Sequence, residues 1–243
     1  MAHVMRRRMN KSAAWSGELA LGPMSAVFVG QGGITPSHAS VAHKVVLGAY
    51  HIEITGVHGT QHTFVKAGAR HKMLARDANI IMIILDARRF SEASARGLAK
   101  SLNDRPPSSL SAPDIVAGLS ELPQNPLPSR INTAIDLIDQ TSCVAEAATL
   151  FDLSEGQFSR LIKQHLGTPP QKCKNWLMLR RALDRIVDGC DVTSAAFEAG
   201  FADASHFSRS CYQHFGIRPS VLRNSHLQIH PSPEACRDVF ETY

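Results

Sequence analysis

Apolar residues between positions 24 and 86 fall in short runs, at 26–29, 44–50, 51–55, 61–65 and 79–85. Ile52 and Ile54 alternate with polar neighbours, which is the period of a half-buried strand. Residues 80–85 are apolar throughout and predict a strand buried on both faces. Glycines at 30, 32, 33, 48, 56, 59 and 68 punctuate the runs as turn signals. The GQGG of residues 30–33 has no helix signature after it and reads as a turn, not as a phosphate loop. Short strands at this spacing predict a small antiparallel barrel or sandwich.

The period then lengthens. Ser91 is placed to cap a helix at 92–102, and a short helix is expected at 114–121. Pro123, Pro126 and Pro128 remove backbone donors and restrict their neighbours, so residues 123–129 read as a linker. Beyond it, Ile131, Ala134, Ile135 and Ile138 recur at the spacing of a helix with one face on a core. Further helices are predicted at 144–150, from Ser154 to Leu166 with Gly167 as the stop, at 171–188, at 193–199, and from Asp203 onward. The tail, 226–243, carries no readable motif.

The helical part contains one phrase twice. FSRLIKQHLGTPP at 158–170 and FSRSCYQHFGIRP at 207–219 share seven of thirteen positions at an offset of 49. Two units are too few for a solenoid and fit a module used at two places. Each is preceded by a short alanine-containing helix and a tight turn, the plan of a helix-turn-helix, whose second helix enters the major groove. Phe158 and Phe207 are the expected core anchors. The groove-facing candidates are Gly156, Gln157, Ser159 and Arg160 in the first copy, and Ala204, Ser205, Ser208 and Arg209 in the second. Small residues permit close approach, and one arginine per helix can bond guanine O6 and N7 together. Ser154 and Asp203 read as caps at helix ends that can also receive a phosphate. The 171–188 helix, about 27 Å long, can hold two such heads roughly one turn of B-DNA apart, about 34 Å. The copies differ at Gly156/Ser205 and Gln157/His206, so the expected DNA site is not a simple palindrome.

These residues resemble the AraC/XylS family of bacterial transcription regulators over about 131–223. The second unit, AAFEAGFADASHFSRSCYQHFGIRPSVLR at 195–223, follows the family motif nearly throughout. It departs at Cys211, where the family has Phe, Leu or Tyr, and at Tyr212, where it has Lys or Arg. In the first unit Asp152 stands where the family often has Gly or a similar turn residue. More weakly, His43 and the Ala69-Arg70-His71 stretch resemble the family's cupin-like sensor domain, although 66–71 lacks the family's proline. The resemblance implies an α+β chain of two domains. A small cupin-like β-barrel (1–122) senses or dimerises, and an all-α double helix-turn-helix domain (130–225) binds double-stranded DNA. It further implies a small effector at His43 and His71, a homodimer, and RNA polymerase as partner of an activator.

Composition changes this picture little. The chain has 44% apolar and 19% charged residues, as in ordinary globular proteins. The net charge of +5 sits mostly before the linker, because 129–223 carries 11 Lys/Arg against 10 Asp/Glu. Any case for DNA therefore rests on where charges lie, not on bulk basicity. No apolar run follows Arg6–Arg8 and the longest one, 80–85, cannot span a bilayer, so a cytoplasmic chain without membrane contact is expected. Five cysteines without a CxxC pair read as reduced thiols.

The second class considered is a cupin-type metalloenzyme or metal sensor with the helices as a partner-binding module. It is motivated by His38, His43, His51, His58, His62 and His71. The HxH pair plus glutamate of metal cupins is missing, which favours hydrogen-bonded or surface histidines. A zinc-thiolate repair domain does not fit, because residues 1–142 contain no cysteine. No nucleophile–base constellation or dinucleotide fingerprint is present, so neither an enzyme nor a cofactor is expected.

Overall fold

A computed structural model describes residues 15–22, 24–54, 57–75, 78–102, 111–124, 127–223 and 226–230. Strands β1 (Ser16–Gly22), β2 (Ser25–Gln31), β3 (Ile34–Ala39), β4 (Ala42–Ile54), β5 (Val57–Val65), β6 (Arg70–Leu74) and β7 (Asn79–Asp86) come first. Helices α1 (Glu92–Leu102) and α2 (Ala112–Leu119) follow. Then come α3 (Ser129–Gln140), α4 (Val144–Leu150), α5 (Glu155–Leu166), α6 (Pro170–Val187), α7 (Val192–Glu198) and α8 (Ala204–Phe215). A 3-10 turn at Pro219–Arg223 leads to β8 (Leu227–His230).

The sheet runs β3-β6-β4-β7-β2-β1-β8, with β5 beside β4. All pairs are antiparallel except β1 with β8. The expected closed barrel is not formed. The reason lies in β4, which merges the two runs predicted at 44–50 and 51–55. Its first half pairs with β7, its second half with β6, and the register to β5 shifts between Leu47 and His51. Gly48 stands at that shift with φ 123°, and a Cβ there would lie 2.3 Å from the Asn79 carbonyl of β7. The outer strands of this order, β3 and β8, do not pair with each other.

Strand alternation divides the apolar run of β7 between two cores. Ile81, Ile83 and Leu85 face a layer made by α1 and α2, together with Val27 and Val45. Ile80, Met82 and Ile84 face the other way, with Phe28 and Val46, onto Trp176, Leu179 and Leu183 of α6 and Phe207, Cys211 and Phe215 of α8. The helical part therefore covers the sheet face opposite α1 and α2. A third core holds α3, α4 and α5 on Cys173 and Leu177 of α6. Each large aliphatic side chain so buried contributes about 1.5–3 kcal/mol.

Polar bonds lock α6 to the sheet. Trp176 Nε1 donates to Asp86 Oδ2 (2.6 Å), and the buried Arg180 guanidinium donates to the carbonyls of Ser25 (2.8 Å) and Gly22 (2.9 Å). The second of the two predicted short helices starts earlier than expected, at Ala112, because Ser111 accepts from Asp114 N and caps it. The tail, unreadable in the sequence, adds β8 to the sheet edge.

Candidate nucleic-acid interface

Two reading units are built on α6. In the first, α4 and α5 meet across a turn in which Asp152 takes φ 55°, and Leu153 N donates to Ala148 O. In the second, α7 and α8 meet across a turn in which Gly200 takes φ 94°, and Phe201 N donates to Ala196 O. Asp152 and Gly200 thus fill the same left-handed position, 48 residues apart, while the helices that follow are 49 apart. One extra residue in the second turn accounts for the change. Aspartate tolerates this region better than most side chains.

Both second helices are capped. Ser154 accepts from Gln157 N, while the Gln157 side chain accepts from Ser154 N, a reciprocal capping box. Asp203 Oδ1 accepts from His206 N at 2.6 Å, and this bond is the chief cause holding its carboxyl below the usual range. Phe158 and Phe207 are fully buried, as anchors should be. Both helices end on a left-handed glycine, Gly167 at φ 67° and Gly216 at φ 72°.

The opposite faces are open. Ser154, Gly156, Gln157 and Arg160 are exposed and Ser159 is half-buried; Asp203, Ala204, Ser205, Ser208 and Arg209 are exposed. Nothing would meet a Cβ at Gly156 within 4 Å, so its lack of a side chain answers no internal packing need. The arginines of α6 are engaged elsewhere, Arg180 in the sheet and Arg181 on Asp139, whereas Arg160 and Arg209 stand on the open faces. Gln157 can turn to a base only by opening its cap. His206 is half-buried, edge-on to Phe201 at 5.1 Å.

The structure separates the two histidines paired as effector ligands. His43 and Lys44 are neighbours on β4 and point to opposite faces. His43 lies on the α1 side against Phe64, where its Nδ1 accepts from Ala67 N at 3.1 Å. His71 lies on the α8 side, directly across from His38 of β3. Each donates Nδ1–H to a nearby carbonyl, His38 to Pro36 (2.9 Å) and His71 to Ala69 (3.0 Å). Their Nε2 atoms both accept from Lys44 Nζ, at 2.7 and 3.1 Å.

Burial pushes the Lys44 ammonium down to about 7. Burial, then the Lys44 charge, pushes His38 to about 2 and His71 to about 4. His214 of α8 is buried in the same seam, its Nδ1 without a protein partner, and burial lowers it to about 3. Sequence reasoning singled out His38 among the histidines but missed Lys44 and His214 here. The available signal was a lysine two residues before Val46 in a strand with both faces apolar.

Among the described residues no group of three or more His, Cys, Asp or Glu is placed to hold a metal ion. His51, His58 and His62 have side chains outside the described set. No described helix is long and apolar enough to cross a membrane.

The fold and this geometry define a double helix-turn-helix protein whose second reader shares a core with an open β-sheet. Residues 130–225 match the family described as Helix-turn-helix domain. The chain is 40% identical over 77 residues to the HTH-type transcriptional activator RhaS of Escherichia fergusonii, covering 31% of this chain and 28% of that protein. RhaS of Pectobacterium carotovorum is 36% identical over 78 residues, covering 32% and 28%. The match therefore spans less than a third of the length of these curated relatives. Among solved structures, ToxT from Vibrio cholerae aligns with a TM-score of 0.49 at 9% identity, covering 83% of this chain and 99% of that one.

Proposed function

We propose that the chain is a sequence-specific transcription regulator whose α5 and α8 enter successive major grooves on one face of a duplex. The observation that carries this reading is the pair of open, capped helices on one rod, each with an exposed arginine on the same repeat position, Arg160 and Arg209. Gly156, Ser159, Ala204, Ser205 and Ser208 give close approach, and the Ser154 and Asp203 ends lie nearest the backbone phosphates. The sheet side, with residues 1–122 as its working boundary, takes a small effector and signals through the core it shares with α8. Double-stranded DNA is the principal partner and the cytoplasm the place of action. A second copy of the chain, and RNA polymerase at an activated promoter, complete the set of partners.

Selection of bound sequences from a random duplex pool supplies the operator. Arg160→Ala and Arg209→Ala should each relax preference at one operator position by about 1–3 kcal/mol. Unchanged selectivity in both variants would remove the groove assignment.

A further inference from the structure

Gly156 stands in the first turn of α5 and is exposed, and a Cβ added there would meet nothing within 4 Å. Its backbone does not call for glycine either, because its φ is not positive. Glycine in a helix is destabilising relative to alanine, since it gives up more backbone freedom on folding. Neither packing nor backbone angle within the chain accounts for that loss at Gly156.

Successive residues of a helix are about 100° apart. Gly156 therefore lies almost opposite the buried Phe158 and on the same stripe as Arg160, one turn on. Helical side chains lean toward the N-terminus, so the stem of Arg160 leans toward Gly156. The flanking Ser154 and Gln157 close on each other. Ser154 N and Oγ donate to Gln157 Oε1 at 3.0 and 2.8 Å, and Gln157 N donates to Ser154 Oγ at 3.3 Å. What α5 offers at Gly156 is bare backbone, with an arginine beside it. The matching residue of the second reader is Ser205, also exposed, whose Cβ and hydroxyl fill that space.

Bare backbone suits a base edge that has an apolar group to bury. In the major groove only thymine carries one, its C5-methyl. We propose that Gly156 is a specificity-determining residue of the first reader, taking a thymine methyl against the α5 backbone beside the base that Arg160 bonds. The inference rests on the preceding reading and names part of the sequence recognised there. Because Ser205 fills the matching space, this preference belongs to the first half-site alone.

The test uses the full chain and the duplex it selects from a random pool. Each thymine of the half-site altered by Arg160→Ala is replaced in turn by deoxyuridine, which lacks only the methyl. Affinity of the unaltered chain should fall about fourfold at one such position, for the loss of one buried methyl group. Gly156→Ala should bind the thymine duplex at least about tenfold more weakly, since its Cβ and the base methyl compete for one space. The deoxyuridine duplex should restore most of that loss, because the methyl has moved from base to protein. The urea midpoint of Gly156→Ala should rise, which separates a lost contact from a damaged fold. Gly97→Ala, on α1 and equally open, is the control: its midpoint should rise and its DNA affinity stay unchanged. Undiminished DNA binding by Gly156→Ala would overturn the proposal, as would an equal loss on both duplexes or a fall in its urea midpoint. If Arg160→Ala and Arg209→Ala relax their positions while Gly156→Ala binds as before, only this inference falls. Failure of both arginine variants removes the groove assignment itself.

Discussion

Trp176 Nε1 donates to Asp86 Oδ2 across 2.6 Å, which joins the helix carrying both readers to the last residue of the central strand. Asp86 is buried and also takes a forked bond from Arg88. Burial pushes its carboxyl up, but the Arg88 charge and bonds, with the Trp176 bond, outweigh burial and hold it below the usual range. Asp86→Asn strips the counter-charge from a partly buried guanidinium and leaves a buried amide in its place, and should cost about 3 kcal/mol. Trp176→Phe spares that pair and should cost less, about 1.5–3 kcal/mol for a bond to a charged acceptor. Urea denaturation of both variants checks the order; the reverse order would mean that packing of the indole, not the ion pair, governs the joint.

Gly167 and Gly216 occupy the same position in the repeat and nearly the same backbone angles, yet they face different surroundings. A Cβ on Gly216 would lie 2.6 Å from Thr35 Cβ and 2.8 Å from His38 Cε1, while one on Gly167 would find only the Ala67 carbonyl at 4.0 Å. Gly167→Ala should therefore cost only the left-handed conformation, about 1–2 kcal/mol. Gly216→Ala should cost that plus overpacking of about 1–3 kcal/mol. Chemical denaturation of the two variants measures the difference, and equal losses would show that α8 does not press on β3 in solution.

Acid should loosen the seam. His38, His71 and His214 have folded values of about 2, 4 and 3, all below the ordinary imidazole value of 6.5. On unfolding in the window between about 4 and 6.5, each takes up a proton that the folded state refuses. Their contribution is fully present above 6.5 and is lost as the pH falls toward the folded values. The slope is at most about 1.4 kcal/mol per pH unit for each histidine. Urea midpoints taken across this window should fall with acidity, and His214→Phe should flatten the profile. A profile unchanged in His214→Phe would place that imidazole in water.

The helical domain was legible because its signals are local. Ser91, Ser154 and Asp203 cap helices where their spacing to the next apolar residue says they should, and the Ile131 stripe is buried as read. The sheet was less legible, since pairing is non-local. β1, β3 and β6 are short and contain too many polar residues to stand out, and the Gly48 shift looked like a strand end. The pairing of His43 with His71 failed on the simplest property of a strand: adjacent residues face opposite ways. Lys44 was overlooked because a lysine in an apolar strand reads as a surface residue until the helices covering it are known. β8 has no signal of its own and exists only because β1 offers an edge.

That last strand makes the two readers unequal. The chain passes from the sheet through the linker to the readers, and after α8 it returns to pair with β1, where Gly17 N donates to His226 O at 2.9 Å. The second reader is thus clasped at both of its chain ends, and α8 cannot leave the sheet without unzipping β8 or uncoiling the turn that precedes it. The first reader packs on the start of α6, through Cys173 and Leu177, and reaches the sheet through that helix and the linker, with no strand of its own in the sheet. On the proposed reading, a duplex would therefore meet one unit, α7–α8, whose chain is held by the sheet before and after it, and another, α4–α5, held through α6 and the linker.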